Sequence, residues 1–583
     1  MGLRYDHTFN DYSKWMDIGP MSTICLHCGA FRFYGEPPGL CCGSGKINMP
    51  SFPKPPQPLL DLCDGTHRLS QHFLKNAKAY NSAFQMTSFG CNRRESDGWA
   101  PSFQVQGQIY HRIGSLLPID GTPHQFLQLY FLDNATQATA RHNIFSSLNY
   151  DLIEQLQDML HTHNVHVRNF KNCRDTIAAY HGNLAECRVV IRQEKGATGL
   201  HARQLNVPSS QSIGVLFPGD SSGQRDIILQ HRDESLQSIS DRHCLYDALQ
   251  YPLLLTQGTT GWHPDIQNDH RNAKIQPGPY YSFLLQARSH PLYPHHSKEK
   301  NHLHLMQKLY QQWIVDQGAK QESYRLAYHQ SLNDNMIRGA NFQDINDHML
   351  LQDGDPSMIG RRTILHSSYA GGPRYMHQRQ QDAFAYVREI GGAQIFATLT
   401  TNPKWLNITE NLEAGENVVN RPDIVARVFH QKKQLFHKLM HDNALFGPLS
   451  AYISNTEFQK RELPHLHALF WLTNRLRPDD VDNVVCAELP DPNEDPTLHA
   501  LVLTHMIHGP CGAFNPRSPC MKDGRCSKKF PFAYSMHTSM NEDGRSFPKY
   551  RRRSPEQGGF TAIKITGNRS GLPIETLITN QWV

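Results

Sequence analysis

The stretch Leu463-Pro464-His465-Leu466-His467-Ala468-Leu469-Phe470-Trp471-Leu472 constrains the fold of this chain more than any other. Read as a strand, its side chains alternate, so His465 and His467 share one face while Leu466 turns to the packed one. Leu449 to Phe458 reads as the partner strand, joined through the polar link Lys460-Arg461-Glu462. Along a strand rising about 3.3 Å per residue, the two imidazoles stand about 7 Å apart and can converge on one cation. Gln459 and Glu457 share a face just upstream, and either can supply a third ligand. Two imidazoles and an oxygen suit Mg2+ or Mn2+ offered to a phosphate, with Zn2+ left open by the spacing. A lone His-x-His on a strand is more often surface or satisfied core, and the hydrolase pattern His-x-His-x-Asp is not met, since Leu469 holds the Asp position.

The neighbourhood strengthens the metal reading. Ala393 to Thr400 alternates like a third strand and ends in Thr400-Thr401-Asn402-Pro403-Lys404-Trp405, where Thr400, Asn402 and Lys404 either face a nucleic-acid backbone or simply make a turn. Two amphipathic helices are expected. In His302 to Gln317, Leu305, Met306, Leu309, Tyr310 and Trp313 fall at helical spacing. In Pro422 to His441 the stripe is Ile424, Val425, Val428, Phe429, Leu435, Phe436, Leu439 and Met440. Pro422 suits a first turn, and Arg427, Gln431, Lys432 and Lys438 mark a basic, solvated opposite face. Ser212 to Phe217, a Pro218-Gly219-Asp220 turn and Arg225 to Leu229 read as strand, turn and strand.

A chain of 583 residues has room for three or four domains, and 39% apolar with 19% charged residues is globular composition. A net charge of +5 gives no global field toward nucleic acid, so any basic surface is local. No run of about 18 apolar residues crosses a bilayer, and Met1-Gly2-Leu3-Arg4-Tyr5-Asp6 shows no secretory or myristoylation signal. The 13 cysteines cluster beside histidines, which reads as metal ligation in a reducing compartment rather than a disulfide framework. Cys25, Cys28, Cys41 and Cys42 can close a tetrahedral zinc site, with His27 able to replace one of the adjacent pair. Cys511, Cys520 and Cys526 have the spacing of a CCCH finger whose last position holds Phe530, so His508 or His505 must complete it. Buried thiols are the plain alternative for both clusters. Lys549-Tyr550-Arg551-Arg552-Arg553 can hold phosphates, though such runs are usually a solvated face.

Several stretches, in order, resemble the Helitron-type transposases of the HUH superfamily of rolling-circle initiators. They are Gln108 to Gly114, Tyr246 to Leu253, Gly360-Arg361-Arg362, Pro373-Arg374-Tyr375, Gln381-Asp382-Ala383, Phe396 to Trp405 and Glu457 to His467. Glu462 stands where the family usually has Gly, and Leu466 where it has a smaller residue. The resemblance implies an α+β, multi-domain chain. A Cys-rich segment and Pro-rich linker would span 1–60, a mixed α/β region 61–300, and a HUH core with a central antiparallel sheet flanked by helices 301–475. A Cys/His-bearing insertion and truncated C-terminal part would follow at 476–583. It also implies metal ligation by His465 and His467, a single-stranded DNA partner, a nuclear location, and a zinc-finger-like segment at the first cysteine cluster.

In that family a paired tyrosine attacks the scissile phosphate, leaving a 5′-phosphotyrosine and a free 3′-OH. After His467 the sequence offers only Tyr534 and Tyr550, unpaired, and no phosphate-cradling helicase loop. The expectation is therefore an incomplete nicking enzyme, whose helicase partner domain is not in this chain. The alternatives are a non-catalytic DNA-binding protein derived from such an element, and a metal-dependent hydrolase that uses water.

Overall fold

The computed structural model describes residues 16–49, 53–93, 105–112, 124–179, 188–191, 213–216, 227–230, 238–266, 274–290, 293–299, 301–333, 367–413, 416–442, 445–459, 463–474, 476, 478–483, 485–509, 511–513, 515–539, 548–567 and 573–583. Met1 to Asp6, the Pro218-Gly219-Asp220 turn, Gly360-Arg361-Arg362 and the Lys460-Arg461-Glu462 link lie outside these. Helix and sheet are mixed. Among the described residues the strands form small antiparallel sheets of two or three strands each. The histidine strand sits in a three-stranded antiparallel one.

The chain opens with a short hairpin, β1 (Thr23–Ile24) and β2 (Phe31–Arg32). Its loop is closed by Gly29 N donating to Cys25 O and Cys25 N donating to Ala30 O, both at 2.9 Å. Gly29 sits at φ +67°, a left-handed conformation that a glycine adopts without the steric cost of a Cβ. This hairpin joins two cores. Cys25, Ala30, Cys41, Cys42 and Ile47 belong to a large cluster that runs on to Trp313. Met21, Phe31 and Phe33 belong to a second one, with Ile408, Ile424, Val425 and Val428. At about 1.5–3 kcal/mol per large apolar side chain buried, the second cluster is a firm seat for the hairpin.

Helix α1 (Pro277–Leu284) begins with proline at its first position, and α2 (His302–Leu305) is capped by the Asn301 side chain accepting from Leu303 N. Helix α3 (Lys308–Asn333) follows at once. The single helix expected from His302 to Gln317 is thus two, because Gln307 takes φ +46° between them. Helix α4 (Pro373–Ile390) ends at Gly391, φ +85°, and leads to β3 (Ile395–Thr400). Helix α5 (Pro422–His441), β4 (Leu449–Phe458) and β5 (Pro464–Leu472) come next, close to the bounds the sequence pattern predicts.

Helix α5 is not the half-solvated helix its sequence suggests. Gln431 and Lys432 are buried, with Lys432 Nζ donating to Met16 O at 2.7 Å and lying 5.0 Å from the Trp405 ring. Arg427 pairs with Glu36 at 2.7 Å. Only Lys438 of the four polar residues is exposed. The opposite side of the helix carries Phe436 and Met440 onto Ala468 and Phe470 of β5.

Strand β5 lies between β3 and β4, antiparallel to both. The register pairs His465 with Thr400 and Glu457, and His467 with Thr398 and Asn455. Beyond β5, α6 (Pro496–His505) precedes a tight hairpin of β6 (Met521–Lys522) and β7 (Arg525–Cys526). Asp523 and Gly524 both take positive φ, +50° and +76°, as a two-residue hairpin turn requires.

Candidate functional site

The alternation of β5 puts Leu466, Ala468 and Phe470 in the interior and leaves His465 and His467 together on the other face. Their ring centroids are 4.5 Å apart, edge to face. Because directly paired residues of antiparallel strands share a face, Thr400 from β3 and Glu457 from β4 flank them. Thr400 Oγ1 lies 2.7 Å from His465 Nδ1, and Gln459 Nε2 lies 3.3 Å from the same nitrogen. Since an amide nitrogen only donates, Nδ1 accepts, which puts the proton of a neutral His465 on Nε2. Burial, reinforced by the neighbouring His467, holds the His465 pKa below its ordinary value. A hydroxyl can both donate and accept, so Thr400 orients this ring in either tautomer.

His467 Nε2 donates to Glu457 Oε1 at 2.7 Å, with the carboxylate half-exposed. The other ring nitrogen, Nδ1, is buried and meets no hydrogen-bond partner among the described residues. A polar atom left unmet at such depth costs about 1–3 kcal/mol. Phe396 of β3 stacks on the His467 ring, 5.5 Å between centroids and 8° between planes. Histidine, carboxylate and amide therefore meet on one face, a donor set that suits a divalent cation. His465, His467 and Glu457 do not draw their ligand atoms as close together as the two cysteine groups described next.

The strand-end residues divide. Thr400 joins the histidines, whereas Asn402 Oδ1 accepts from Lys404 N at 2.9 Å in a local turn, and both Asn402 and Lys404 are exposed. Sequence reasoning missed Phe396 as part of this face, although Phe396, Thr398 and Thr400 alternate in period two and so announce it.

Cys25, Cys28, Cys41 and Cys42 bring their sulfurs within 4.8 Å of one another, all as free thiols. Cys25 Sγ to Cys42 Sγ is 3.8 Å and Cys41 Sγ to Cys42 Sγ is 4.0 Å. The edge of a tetrahedron with Zn–S bonds of about 2.3 Å is about 3.8 Å, so these separations fit zinc. Adjacent Cys41 and Cys42 both reach the group, and His27 does not replace either. Hydrogen bonding from Cys41 lowers the Cys28 thiol to about 5, and the Arg288 guanidinium adds to this. The same sharing with Cys28 pushes Cys41 up, while burial first of all raises Cys42 to about 11. Arg288 comes from far along the chain, and no local pattern announces it.

The second group is His508, Cys511, Cys520 and Cys526, also within 4.8 Å. Helix α6 ends at His505, and His508 turns inward to bring Nε2 to 3.3 Å from Cys526 Sγ. The β6–β7 hairpin carries Cys520 and Cys526 at its two ends. Phe530, which stands where a finger's last histidine would be, stacks on the His508 ring at 4.2 Å and 14°. Burial raises Cys511 to about 12. At Cys526 burial acts the same way but is outweighed by backbone N–H groups of Phe530 and Lys528, which bring it to about 6. Both groups can hold a metal ion such as zinc.

The basic run is largely committed to structure. Arg553 forks onto Glu488 at 2.7 Å, Arg551 reaches the same carboxylate at 3.3 Å, and Arg552 lies 4.7 Å from the Phe532 ring. No described helix is long and apolar enough to cross a membrane.

The part of the chain that holds the histidine sheet is similar to a known domain. Residues 280–470 match the Helitron helicase-like domain at N-terminus. The matched span runs from inside α1 to inside β5, so it takes in both histidines, Glu457, Gln459 and Thr400. It marks this part of the chain as Helitron-related, while both cysteine groups lie outside it. No curated protein matches the chain.

Proposed function

We propose that this chain binds single-stranded DNA as part of a Helitron-like rolling-circle transposase of the HUH type, and holds a phosphate of that strand at a divalent cation on His465 and His467. The observation that carries the reading is the histidine pair on one sheet face, inside the span similar to the Helitron domain. The Nδ1 of His467, without a hydrogen-bond partner among the described residues, and the half-exposed Glu457 carboxylate fit a cation there. When bound, Mg2+ or Mn2+ would polarise the phosphate and fix its orientation for strand nicking. His465 and His467 would hold the ion, with Glu457 or Gln459 as oxygen ligand. The ion would need both imidazoles neutral, so affinity would fall in acid. Thr400 orients His465, and Phe396 keeps the His467 ring in its plane. The two cysteine groups hold zinc and brace the modules on either side of the sheet. The nucleophilic tyrosine is not assigned to this chain, and the protein acts in the nucleus.

The test compares Mn2+-dependent binding of single-stranded and hairpin DNA by the native chain and a His465→Ala/His467→Ala variant. Binding that rises with Mn2+ only in the native chain supports the reading, and equal binding by both overturns it. A covalent adduct with the oligonucleotide would instead bring Tyr534 or Tyr550 in as the nucleophile.

A further inference from the structure

Helices α1 and α3 line a half-open groove of about 520 Å3, within the size range of small-ligand sites and on elements other than the three strands of the histidine sheet. One wall is Pro277, Gly278 and Pro279, the first turn of α1. The other is a single face of α3, where Gln321, Tyr324, Arg325, Tyr328 and His329 recur at intervals of three and four. Two prolines lack N–H groups, so this helix start offers a flat apolar surface and little to hold an anion. Tyr324 is anchored edge-on against buried Trp262, 5.2 Å between centroids, and Trp262 Nε1 donates to Ile275 O. Tyr328 is 60% exposed and stands at the rim. A Cβ at Gly278 would meet Gln321 Oε1 at 3.4 Å, an ordinary contact, so a longer side chain there would extend into the slot.

The cation at this site is occupied. Arg325 Nη1 pairs with Glu322 at 3.0 Å, and its guanidinium lies 4.9 Å from the Tyr369 ring. The tyrosine hydroxyl bonds the same Glu322. A slot with proline on one side, tyrosine on the other, amide groups from Gln276 and Gln321, and a neutralised cation suits a flat polar ring better than a phosphate. Taking the single-stranded DNA reading above as its basis, we infer that the α1–α3 slot receives one unpaired base of the bound strand, stacked between Tyr328 and the prolines.

The test uses the full chain with two variants. Gly278→Leu fills the slot while adding helix propensity, and Tyr328→Ala removes the rim ring from an exposed position. Binding of a labelled oligothymidylate is measured against salt in metal-free buffer, beside the same length of abasic backbone. Each variant is expected to bind oligothymidylate about 5- to 100-fold more weakly, the range for losing one base stack. The salt slope stays that of the native chain, since no phosphate contact is lost, and abasic binding is unchanged. Native affinity for oligothymidylate in both variants overturns the slot and leaves the DNA reading standing; an aromatic side chain of a protein partner would then be the occupant to seek. An equal loss on the abasic strand also overturns it. A native chain that binds neither strand even after Mn2+ is added takes down the DNA reading and the slot together.

Discussion

Replacing Arg427 by Met tests how the N-terminal hairpin is tied to helix α5. The Glu36 side chain is 2% exposed and receives two bonds from Arg427, from Nε and Nη2, both at 2.7 Å, besides Phe33 N at 2.8 Å. Arg427 Nη2 also donates to Phe31 O. Methionine keeps the length and apolar stem but strands a buried carboxylate. Removing one partner of a buried pair costs about 3–5 kcal/mol, and the low end applies because Phe33 N–H remains and Arg427 is itself 13% exposed. About 3 kcal/mol is roughly a 100-fold rise in local opening. Hydrogen exchange read by mass spectrometry at residues 31–36 and 424–428 reports that opening without requiring the whole chain to unfold in one step. A second change, Glu36→Gln, removes the stranded charge, so the double variant should recover more than half of the loss. If Arg427→Met exchanges at the native rate, or the double variant opens as fast as the single, the pair is not what fastens the hairpin.

Three further outcomes follow from the same geometry. Cys42→Ser and Cys526→Ser should each remove one zinc ion per purified chain, measured by elemental analysis, and an unchanged metal content would leave the cysteines as core thiols. Glu457→Ala should weaken Mn2+ binding about 10- to 100-fold and more than Gln459→Ala does, because the carboxylate already meets His467; calorimetry giving the reverse order would return the third ligand to Gln459. Burial holds His166 and His302 at about 4, each ring bonded to a backbone carbonyl, Gly258 O and Leu254 O. Below about 6.5 the unfolded chain takes up a proton at each ring and the folded one does not until pH nears 4. Stability therefore falls with acidification by about 1.4 kcal/mol per pH unit per ring in that window. His302→Gln should flatten the slope of melting temperature against pH, and a slope that stays as steep would put the acid response elsewhere.

The three strands of the histidine sheet were legible because each carries a period-two pattern that needs no partner to be read. Their register was not, since it depends on how β3 and β4 slide against β5, and it is the register that places Thr400 on His465. The helix of Pro422–His441 was legible in its bounds and misread in its surroundings: a hydrophilic stripe looks solvated until the element that covers it is known. The cysteine groups could be assembled on paper because thiol spacing is local, yet the choice of His508 over His505 and the exclusion of His27 required the turns themselves. The Gln307 break between α2 and α3 had no marker, for glutamine seldom adopts a positive φ.

The histidine site and the first cysteine group are mechanically related through α5. Its first half buries Ile424, Val425 and Val428 against Phe31 and Phe33, which flank the loop of the first cysteine group. Its second half presses Phe436 onto Phe470, 6.1 Å between rings, and Phe470 is three residues from His467 on the opposite face of β5. A strand cannot shift by one residue without turning every side chain over, so α5 holds the imidazoles outward by holding Phe470 inward. The cysteine hairpin, by seating α5, therefore contributes to the geometry of the histidine pair without touching it. That dependence explains why Arg427, on a helix whose far side packs on a sheet, is committed to Glu36 and Phe31, while Gln431 and Lys432 are buried beside it and Lys432 reaches Met16 O.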